Sequence, residues 1–251
     1  MTDYLFQDRQ KEHWALLSHP APTGERGLAI FIHGFWGNHL TTWGKLPEFL
    51  AAQAAGHQVL QHWDFLFLGY VTRDVASYLD IATPLANQWQ LASLPRAPYR
   101  VKYDRLALLG HSLGTLGIRQ LLCATHLHPT GMLQALHSVT LFGSPINGSP
   151  LALPSKLLGG GPIADALRPG NPQLRMLKTW VQGAHRVLPW KDVRLVFGAD
   201  DKVVGHKYRE LIEFAGDVTP HALYPLNHRS LVKPPNWSSS TLCSEVVGAL
   251  Q

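Results

Sequence analysis

Short apolar runs alternate with longer segments of mixed polarity along this chain of 251 residues. The runs are rich in Leu, Ile, Val and Phe, a composition typical of strands that are buried on both faces of a sheet. Between the runs, apolar residues recur at three- and four-residue spacing, which predicts helices. Strands are predicted at residues 28–32, 63–68, 105–109, 138–142, 193–197 and 221–224, and helices at 43–55, 75–91 (interrupted near Pro84), 113–124 and 242–250. The alternation predicts the α/β class, with a mostly parallel central sheet flanked by helices.

A long insertion separates the strands predicted at 138–142 and 193–197. It contains several prolines, the stretch Leu157-Leu-Gly-Gly-Gly161 and a helix-like segment at 173–187. In a doubly wound sheet such an insertion lies over the carboxyl ends of the strands, where ligands bind. We therefore predict one domain spanning residues 1–251, with a cap or lid inserted at about 149–191. A rigid excursion that gates nothing is the alternative.

Composition is that of a folded domain, since 45% of the residues are hydrophobic and 16% are charged. The formal net charge is +5, but the basic residues are scattered, so no nucleic-acid partner is expected. The first nine residues have no apolar signal core, and no run approaches the ~18 apolar residues of a membrane span. We expect a cytoplasmic protein with no integral membrane segment. The sequence indicates no oligomeric state.

The sequence Gly110-His-Ser-Leu-Gly114 lies between a predicted strand and a predicted helix. It matches G-x-S-x-G, in which a nucleophilic serine stands at the tip of a strained strand-to-helix turn. Small flanking residues are needed there because strand and helix crowd together. Ser112 is therefore the predicted nucleophile. The amide of Leu113, at the start of the helix, is a predicted donor to an oxyanion.

A second oxyanion donor is expected from the loop His33-Gly-Phe-Trp-Gly-Asn38, which follows the first predicted strand. The candidate donor is the backbone amide of Phe35. We expect His33 to shape this loop by hydrogen bonding and not to act as a base. The side chains of Phe35 and Trp36 either line a substrate pocket or simply pack, and the sequence favours neither.

An acid and a base are predicted after the last two strands. Asp201 is favoured as the acid over its neighbour Asp200, which we expect to hold the turn through local backbone N–H groups. His228 follows the final strand and is the predicted base, whereas His206 lies where a helix begins and is less suitable. The chain order Ser112, Asp201, His228 is the order expected when the nucleophile lies in G-x-S-x-G.

These motifs resemble those of the α/β-hydrolase superfamily, and within it the bacterial lipase and esterase branch, over about residues 27–232. The segment 141–150 is similar to the Gly-Thr-Pro-His-x-Gly-Ser stretch of lipase-like members, and the segment 167–175 to a segment of their cap regions. Asn147 departs from this pattern, since it stands where many relatives carry His or another residue. The resemblance implies a single α/β-hydrolase domain acting as a carboxylesterase or lipase-like enzyme.

The resemblance also implies a mechanism, in which Ser112 attacks an ester carbonyl, His228 moves the proton and Asp201 orients His228. Water then hydrolyses the acyl-enzyme. The substrate is expected to be a small-molecule or lipid ester, and neither metal nor cofactor is expected. Trp36, His111 and Ile146 are the expected substrate contacts.

Other functions are compatible with the same motifs, because one fold hosts many reactions. An acyltransferase or a thioesterase would use the same nucleophile and base with a different acceptor or substrate. A non-catalytic ligand-binding protein of this fold is the alternative from another class. It is less favoured, because it predicts a broken triad and all three predicted positions are intact.

Overall fold

The computed structural model describes residues 4–20, 24–94, 98–99, 101–127, 131–150, 161–184, 192–204 and 220–251. In these residues, eight strands form one sheet in the order β1-β2-β4-β3-β5-β6-β7-β8. The strands are β1 (Leu5–Arg9), β2 (Trp14–Ser18), β3 (Gly27–Ile32), β4 (Trp63–Leu68), β5 (Arg105–His111), β6 (Leu136–Phe142), β7 (Val193–Gly198) and β8 (His221–Leu223). Strands β1 and β2 pair antiparallel with each other, and β2 is also antiparallel to β4. All other pairs are parallel.

Successive side chains of the central strands enter two separate apolar layers, because side chains alternate across a strand. In β3, Ile30 packs into one layer and Phe31 into the other, and both are fully buried. Ile30 lies opposite Leu66 of β4 and Leu108 of β5 in the parallel register. Burial on both faces explains why these strands read as nearly continuous apolar runs.

Helices cover both faces of this sheet. The described helices are α1 (Leu46–Gln53), α2 (Leu79–Ala92), α3 (Leu113–Leu127), α4 (Met132–Ala135), α5 (Ile163–Ala166), α6 (Pro172–Ala184) and α7 (Thr241–Ala249). Helices α2 and α3 pack into the layer that contains Ile30, and α1 and α7 into the layer that contains Phe31. The predicted α/β class with a mostly parallel sheet is confirmed. None of the described helices is both long enough and apolar enough to span a lipid bilayer.

Two details differ from the sequence prediction. The antiparallel hairpin of β1 and β2 was not predicted, although the run Trp14–Ser18 is apolar and entirely buried. Helix α2 is also not interrupted, and Pro84 lies inside it. The carbonyl of Asp80 that would accept from residue 84 belongs to an exposed residue, so water can satisfy it. Burial of Ile81 and Leu85 on the other face stabilises the helix.

The predicted cap or lid is described in part, through α5 and α6. Helix α6 packs against α3, and the hydroxyl of Tyr78 donates a hydrogen bond to the carbonyl of Ala166. The amide of Ser149 donates to the carbonyl of Leu167 at 2.8 Å. Residues 151–160 and 185–191, which include most of the predicted glycine-rich stretch, lie outside the described residues. A gating role for this region stays a prediction.

Candidate active site

Ser112 lies in the turn between β5 and α3 with a φ of 51°. This is the left-handed region, which residues with a Cβ rarely occupy and which costs about 1–2 kcal/mol. The turn is anchored by the amide of Ser112, which donates to the carbonyl of Phe142 in β6 at 2.8 Å. Thr115 also donates its hydroxyl to the carbonyl of Ser112 at 2.6 Å. The strained turn is therefore held by the neighbouring strand and by the first turn of α3.

The two glycines that flank this turn are required by close packing. A Cβ at Gly110 would lie 2.8 Å from Cδ1 of Ile118. A Cβ at Gly114 would lie 2.5 Å from the carbonyl oxygen of His33 and 2.6 Å from that of Ile32. Backbone atoms cannot move aside cheaply, so Gly114 allows α3 to approach the end of β3. The motif G-x-S-x-G thus has a direct steric basis.

Asp201 and His228 form a buried pair beyond the ends of β7 and β8. Nδ1 of His228 lies 2.7 Å from Oδ2 of Asp201, so the ring donates its Nδ1–H to the carboxylate. The other oxygen, Oδ1, accepts from the amides of Val203 at 2.9 Å and Val204 at 3.1 Å. Burial raises the pKa of Asp201, but the hydrogen bond and charge of His228 and the two amides outweigh it, so the pKa lies below its ordinary value. The carboxylate is therefore ionised at neutral pH and holds the ring through Nδ1, so that Nε2 is the nitrogen not bonded to Asp201.

Asp200, the alternative to Asp201 as the acid, has different surroundings. Asp200 is exposed, and its backbone amide donates to the carbonyl of Leu226 at 3.0 Å. The turn-holding bonds that were expected of Asp200 are made instead by Oδ1 of Asp201. His206 lies outside the described residues.

Gly143 connects the pair to the serine. Its amide donates to the carbonyl of Val196, and its φ is 56°. A Cβ at Gly143 would lie 3.1 Å from Nδ1 of His228 and 3.3 Å from Oδ2 of Asp201. The preceding residue, Phe142, accepts the hydrogen bond from the amide of Ser112. The end of β6 therefore lies between the serine turn and the Asp201–His228 pair.

Sequence analysis gave no role to Gly143, although a glycine directly after a buried strand was a usable signal. The structure also shows that the described residues contain no hydrogen bond between Ser112 and His228. In a free enzyme such a bond is often long and forms only with substrate bound.

The loop after β3 lies against the serine. A Cβ at Gly34 would be 2.6 Å from Cβ of Ser112. The amide of Trp36 donates to Oγ1 of Thr72 at 3.0 Å, and the amide of Gly37 donates to the carbonyl of Gly34 at 3.0 Å. In the described part of the chain, the amide of Phe35 has no hydrogen-bond partner. This is the amide of the loop that was predicted to donate a hydrogen bond to the oxyanion.

His33 is fixed within the same loop. Its Nδ1–H donates to the carbonyl of Gly34 at 2.8 Å, and its Nε2 accepts from the amide of Tyr70 at 3.1 Å. Burial, with minor contributions from neighbouring histidines, lowers the pKa of His33 to about 4. The ring is therefore neutral near pH 7, and both of its nitrogens are occupied by the backbone. This is the loop-shaping arrangement that was expected, and it leaves no nitrogen free to act as a base.

On α3, the amide of Leu113 also has no partner within the described residues. Because the first amides of a helix lack intrahelical acceptors and carry partial positive charge, this amide can donate a hydrogen bond to an anion beside Ser112. The amides of Leu113 and Phe35 belong to the two segments that directly flank the serine. Their roles as oxyanion donors stay predictions.

The three expected substrate contacts lie in different surroundings. Trp36 is 53% exposed and lines a cavity of about 450 Å³ that also borders Tyr70 and Arg73. Ile146 is 1% exposed and packs in the apolar layer that contains α2 and α3. His111 is buried, and its ring contacts His228. Contact with substrate remains a prediction for all three, and Trp36 alone among them is exposed.

A metal-binding cluster was not expected from the sequence. Within the described residues, no group of three or more His, Cys, Asp or Glu side chains is arranged to hold a metal ion. Cys123 and Cys243 are buried free thiols.

Comparison with protein-family models finds no match to this chain. No curated protein matches its sequence either. Solved structures do match: phospholipase PlaB from Legionella pneumophila has 17% identity and a TM-score of 0.63, over 91% of this chain and 60% of that one. A PlaB complex with thio-NAD has 21% identity and a TM-score of 0.51, over 68% of this chain and 37% of that one. The chain thus spans 37% and 60% of the two PlaB chains.

Two shorter proteins match over most of both chains. Bacillus licheniformis lipase BlEst2 has 16% identity and a TM-score of 0.52, over 88% of this chain and 93% of that one. The peroxisomal α/β-hydrolase Lpx1 from Saccharomyces cerevisiae has 13% identity and a TM-score of 0.59, over 99% and 88%. At these identities the likeness concerns the fold. The chain has the α/β-hydrolase fold, as its motifs predicted.

Proposed function

We propose that this chain is a serine hydrolase that cleaves carboxylic esters through Ser112, His228 and Asp201. The observation that carries the proposal is the buried Asp201–His228 hydrogen bond of 2.7 Å, next to a serine held on left-handed backbone. A buried carboxylate that orients an imidazole is the arrangement a general base needs. The lipase and phospholipase among the structural neighbours support the same class of reaction.

In this proposal His228 takes the proton of Ser112 through Nε2 while Oγ of the serine attacks the ester carbonyl. The imidazolium that forms is stabilised by the ionised carboxylate of Asp201. Since Oδ1 of Asp201 is already bonded to two backbone amides, the carboxylate cannot turn away from the ring. His228 then protonates the leaving alcohol, and water repeats the sequence on the acyl-enzyme.

The amides of Phe35 and Leu113 stabilise the negative oxygen of the tetrahedral intermediate in this proposal. Backbone donors need no reorganisation during the reaction, and loss of one such donor typically costs ~10²–10³ in turnover. The N-terminus of α3 adds a favourable dipole at the same place. The close approach of Gly34 to Cβ of Ser112 brings the Phe35 segment next to the reacting serine.

The substrate in this proposal is a small-molecule or lipid ester. Structural neighbours that are named as a phospholipase and a lipase support an acyl ester. Residues of the proposed cap, α5 and α6, would contribute to an acyl pocket. Acyl transfer and thioester hydrolysis use the same acyl-enzyme, so they are distinguished by assay and not by the triad.

The first test is hydrolysis of p-nitrophenyl esters from acetate to palmitate by the native chain and by Ser112→Ala. We expect turnover by the native chain and none above background by the variant, because the attacking oxygen is missing. The chain-length profile then measures the acyl pocket. Labelling of Ser112 by a fluorophosphonate tests the nucleophile without assuming a substrate.

The chain could instead hydrolyse thioesters, or transfer acyl groups to an added alcohol, faster than it hydrolyses esters. Either result would replace the ester assignment but would keep Ser112 as the nucleophile. A folded native chain that hydrolyses no ester and takes up no fluorophosphonate would contradict the proposal. A non-catalytic ligand-binding role would then be the better reading.

A further inference from the structure

His111 precedes the candidate nucleophile and contacts the candidate base directly. Its Nε2 lies 2.9 Å from the backbone oxygen of His228, across 117 positions of sequence. The centroids of the two rings are 4.7 Å apart. His111 is 7% exposed, so the contact is shielded from solvent. One side chain thus joins the end of β5 to the loop that carries the base.

The protonation of His111 follows from this contact. A backbone carbonyl can only accept, so Nε2 carries the hydrogen and donates it. Burial, followed by the neighbouring ring of His228, lowers the pKa of His111 to about 3. The ring is therefore neutral wherever His228 is able to act as a base, and it places no second positive charge beside the imidazolium that the reaction forms.

The other side of the ring packs on the oxyanion loop. A Cβ at Gly34 would lie 3.2 Å from Nδ1 of His111 and 3.0 Å from its carbonyl oxygen. Nδ1 is buried and has no hydrogen-bond partner among the described residues. Leaving a buried acceptor unsatisfied destabilises the fold, so a residue chosen for stability alone would be apolar here.

The loop of His228 is held mainly by bonds within itself. Oδ1 of Asn227 accepts from the amides of Arg229 and Ser230, and the amide of Asn227 donates to Oγ of Ser230. These local bonds make a rigid turn but do not position it against the serine. The bond from His111 to the carbonyl of His228 does, because His111 is covalently next to Ser112.

We propose that His111 is a positioning residue, whose Nε2–H donates to the carbonyl of His228 and so sets the distance between the base and Ser112. This inference rests on the proposed function. Asp201 restrains one end of the imidazole, and His111 restrains the backbone from which the ring projects. Together they fix both the rotation and the position of the ring. The substrate contact expected of His111 stays a separate prediction.

The test uses pairs of variants with nearly the same shape. His111→Gln and His111→Asn keep an N–H donor, whereas His111→Met and His111→Leu lack one. The rate of fluorophosphonate labelling of Ser112 is measured from pH 5 to pH 9, together with kcat and KM for p-nitrophenyl butyrate. A displacement of about 1 Å can cost ~10² in rate, so the variants without a donor are expected to react about 100-fold more slowly.

At least one of the variants that keep a donor is expected to label at a rate within about tenfold of the native rate. In all four variants, KM is expected to stay near its native value. In the variants without a donor, kcat is expected to fall together with the labelling rate constant while KM stays near its native value. The reason is that a displaced base removes the proton of Ser112 more slowly but leaves substrate binding unchanged. A smaller folded fraction alone would lower the amplitude of labelling and not its rate constant.

His57→Leu serves as a control, because His57 accepts from the amides of Val59 and Leu60 before β4, at the opposite end of that strand from the candidate site. Circular dichroism and Tm establish which variants fold. Because there are two matched pairs, donor and non-donor variants can still be compared if one of the four variants does not fold. Equal labelling rates for the donor and non-donor variants of a folded pair, whether fast or slow, would overturn the positioning role of His111 and leave the proposed function standing. Failure of the native chain to label at all would overturn both this inference and the proposed function.

Discussion

At the level of single residues, Asp201 divides its two carboxylate oxygens between the candidate base and the backbone. Oδ2 bonds the ring of His228, and Oδ1 bonds the amides of Val203 and Val204. All of these bonds favour the ionised form and outweigh the burial that opposes it. The pKa of Asp201 is therefore lower in the folded chain than in the unfolded chain, where it is about 3.9.

This shift predicts how stability depends on pH. Because the folded-state pKa is depressed, the ionised carboxylate stabilises the fold above about pH 4, and this stabilisation is lost as the pH falls through the folded-state value. Asp201→Asn has no carboxylate to protonate, so the difference in Tm between it and the native chain is expected to shrink from pH 7 to pH 3. Thermal unfolding at several pH values measures this. A difference independent of pH would contradict the prediction.

The same variant tests the role of the acid in catalysis. An amide at position 201 can stabilise neither the required tautomer nor the imidazolium, so kcat is expected to fall by about 10³–10⁴. Asp200→Asn is the matched control. Its side chain is exposed, so its kcat should remain near the native value. Equal losses in the two variants would argue against Asp201 as the acid.

Ser112 carries local strain that a substitution can measure. Both Ser112→Ala and Ser112→Gly remove the hydroxyl, but glycine alone adopts a φ of 51° without cost. Relief of about 1–2 kcal/mol is partly offset by the greater freedom of glycine in the unfolded chain. We expect the glycine variant to exceed the alanine variant in free energy of unfolding by about 0.5–1 kcal/mol. Urea titration of the two inactive variants provides the measurement, and a more stable alanine variant would contradict it.

At the level of elements, an ion pair ties the start of β3 to β4. Arg26, just before β3, contacts Asp64 of β4, and both are buried. Asp64 also accepts from the hydroxyl of Tyr103 at 2.6 Å and from the amide of His19 at 3.0 Å. These bonds lie at the amino ends of the parallel strands, away from the candidate site. They therefore bear on the assembly of the sheet and not on catalysis.

Asp64→Asn is expected to lower the free energy of unfolding by about 3–5 kcal/mol, because it leaves the guanidinium of Arg26 buried without its counter-charge. Adding Arg26→Met to Asp64→Asn removes the uncompensated charge and keeps an acceptor at position 64, so this double variant should recover part of that loss. Denaturant unfolding of the single and double variants gives both values. A double variant less stable than Asp64→Asn would contradict the argument. Residual activity per folded molecule should stay near native.

At the level of the whole molecule, the parallel sheet brings distant segments to one edge. Asp201 and His228 meet across 27 positions and His111 and His228 across 117. Four residues of the candidate site lie directly after a strand or in the loop beyond its carboxyl end: Ser112, Phe35, Asp201 and His228. In a parallel sheet, ligands bind at this edge. The glycines at 34, 114 and 143 allow these segments to approach closely.

Much of this architecture was readable in the sequence. Side chains alternate across a strand and recur at 3.6 positions in a helix, so the apolar pattern indicated most strands and helices. The serine turn was readable because its steric demands fall on five consecutive residues, Gly110 to Gly114. The hairpin of β1 and β2 was missed because β1 is short and half exposed and has no clear apolar alternation.

Other features depended on tertiary structure. Asp200 and Asp201 are adjacent carboxylates, and only the turn that directly follows β7, at residues 199–204, buries one and exposes the other. Likewise, the contact of His111 with His228 depends on strand order and on loop geometry, neither of which local sequence encodes. The sequence by itself thus determined the α/β class and the candidate nucleophile, because both follow from local periodicity and local sterics. The tertiary structure decided that Asp201, which the sequence favoured over Asp200, meets the candidate base and that His111 contacts the backbone of that base, because those contacts join residues far apart along the chain.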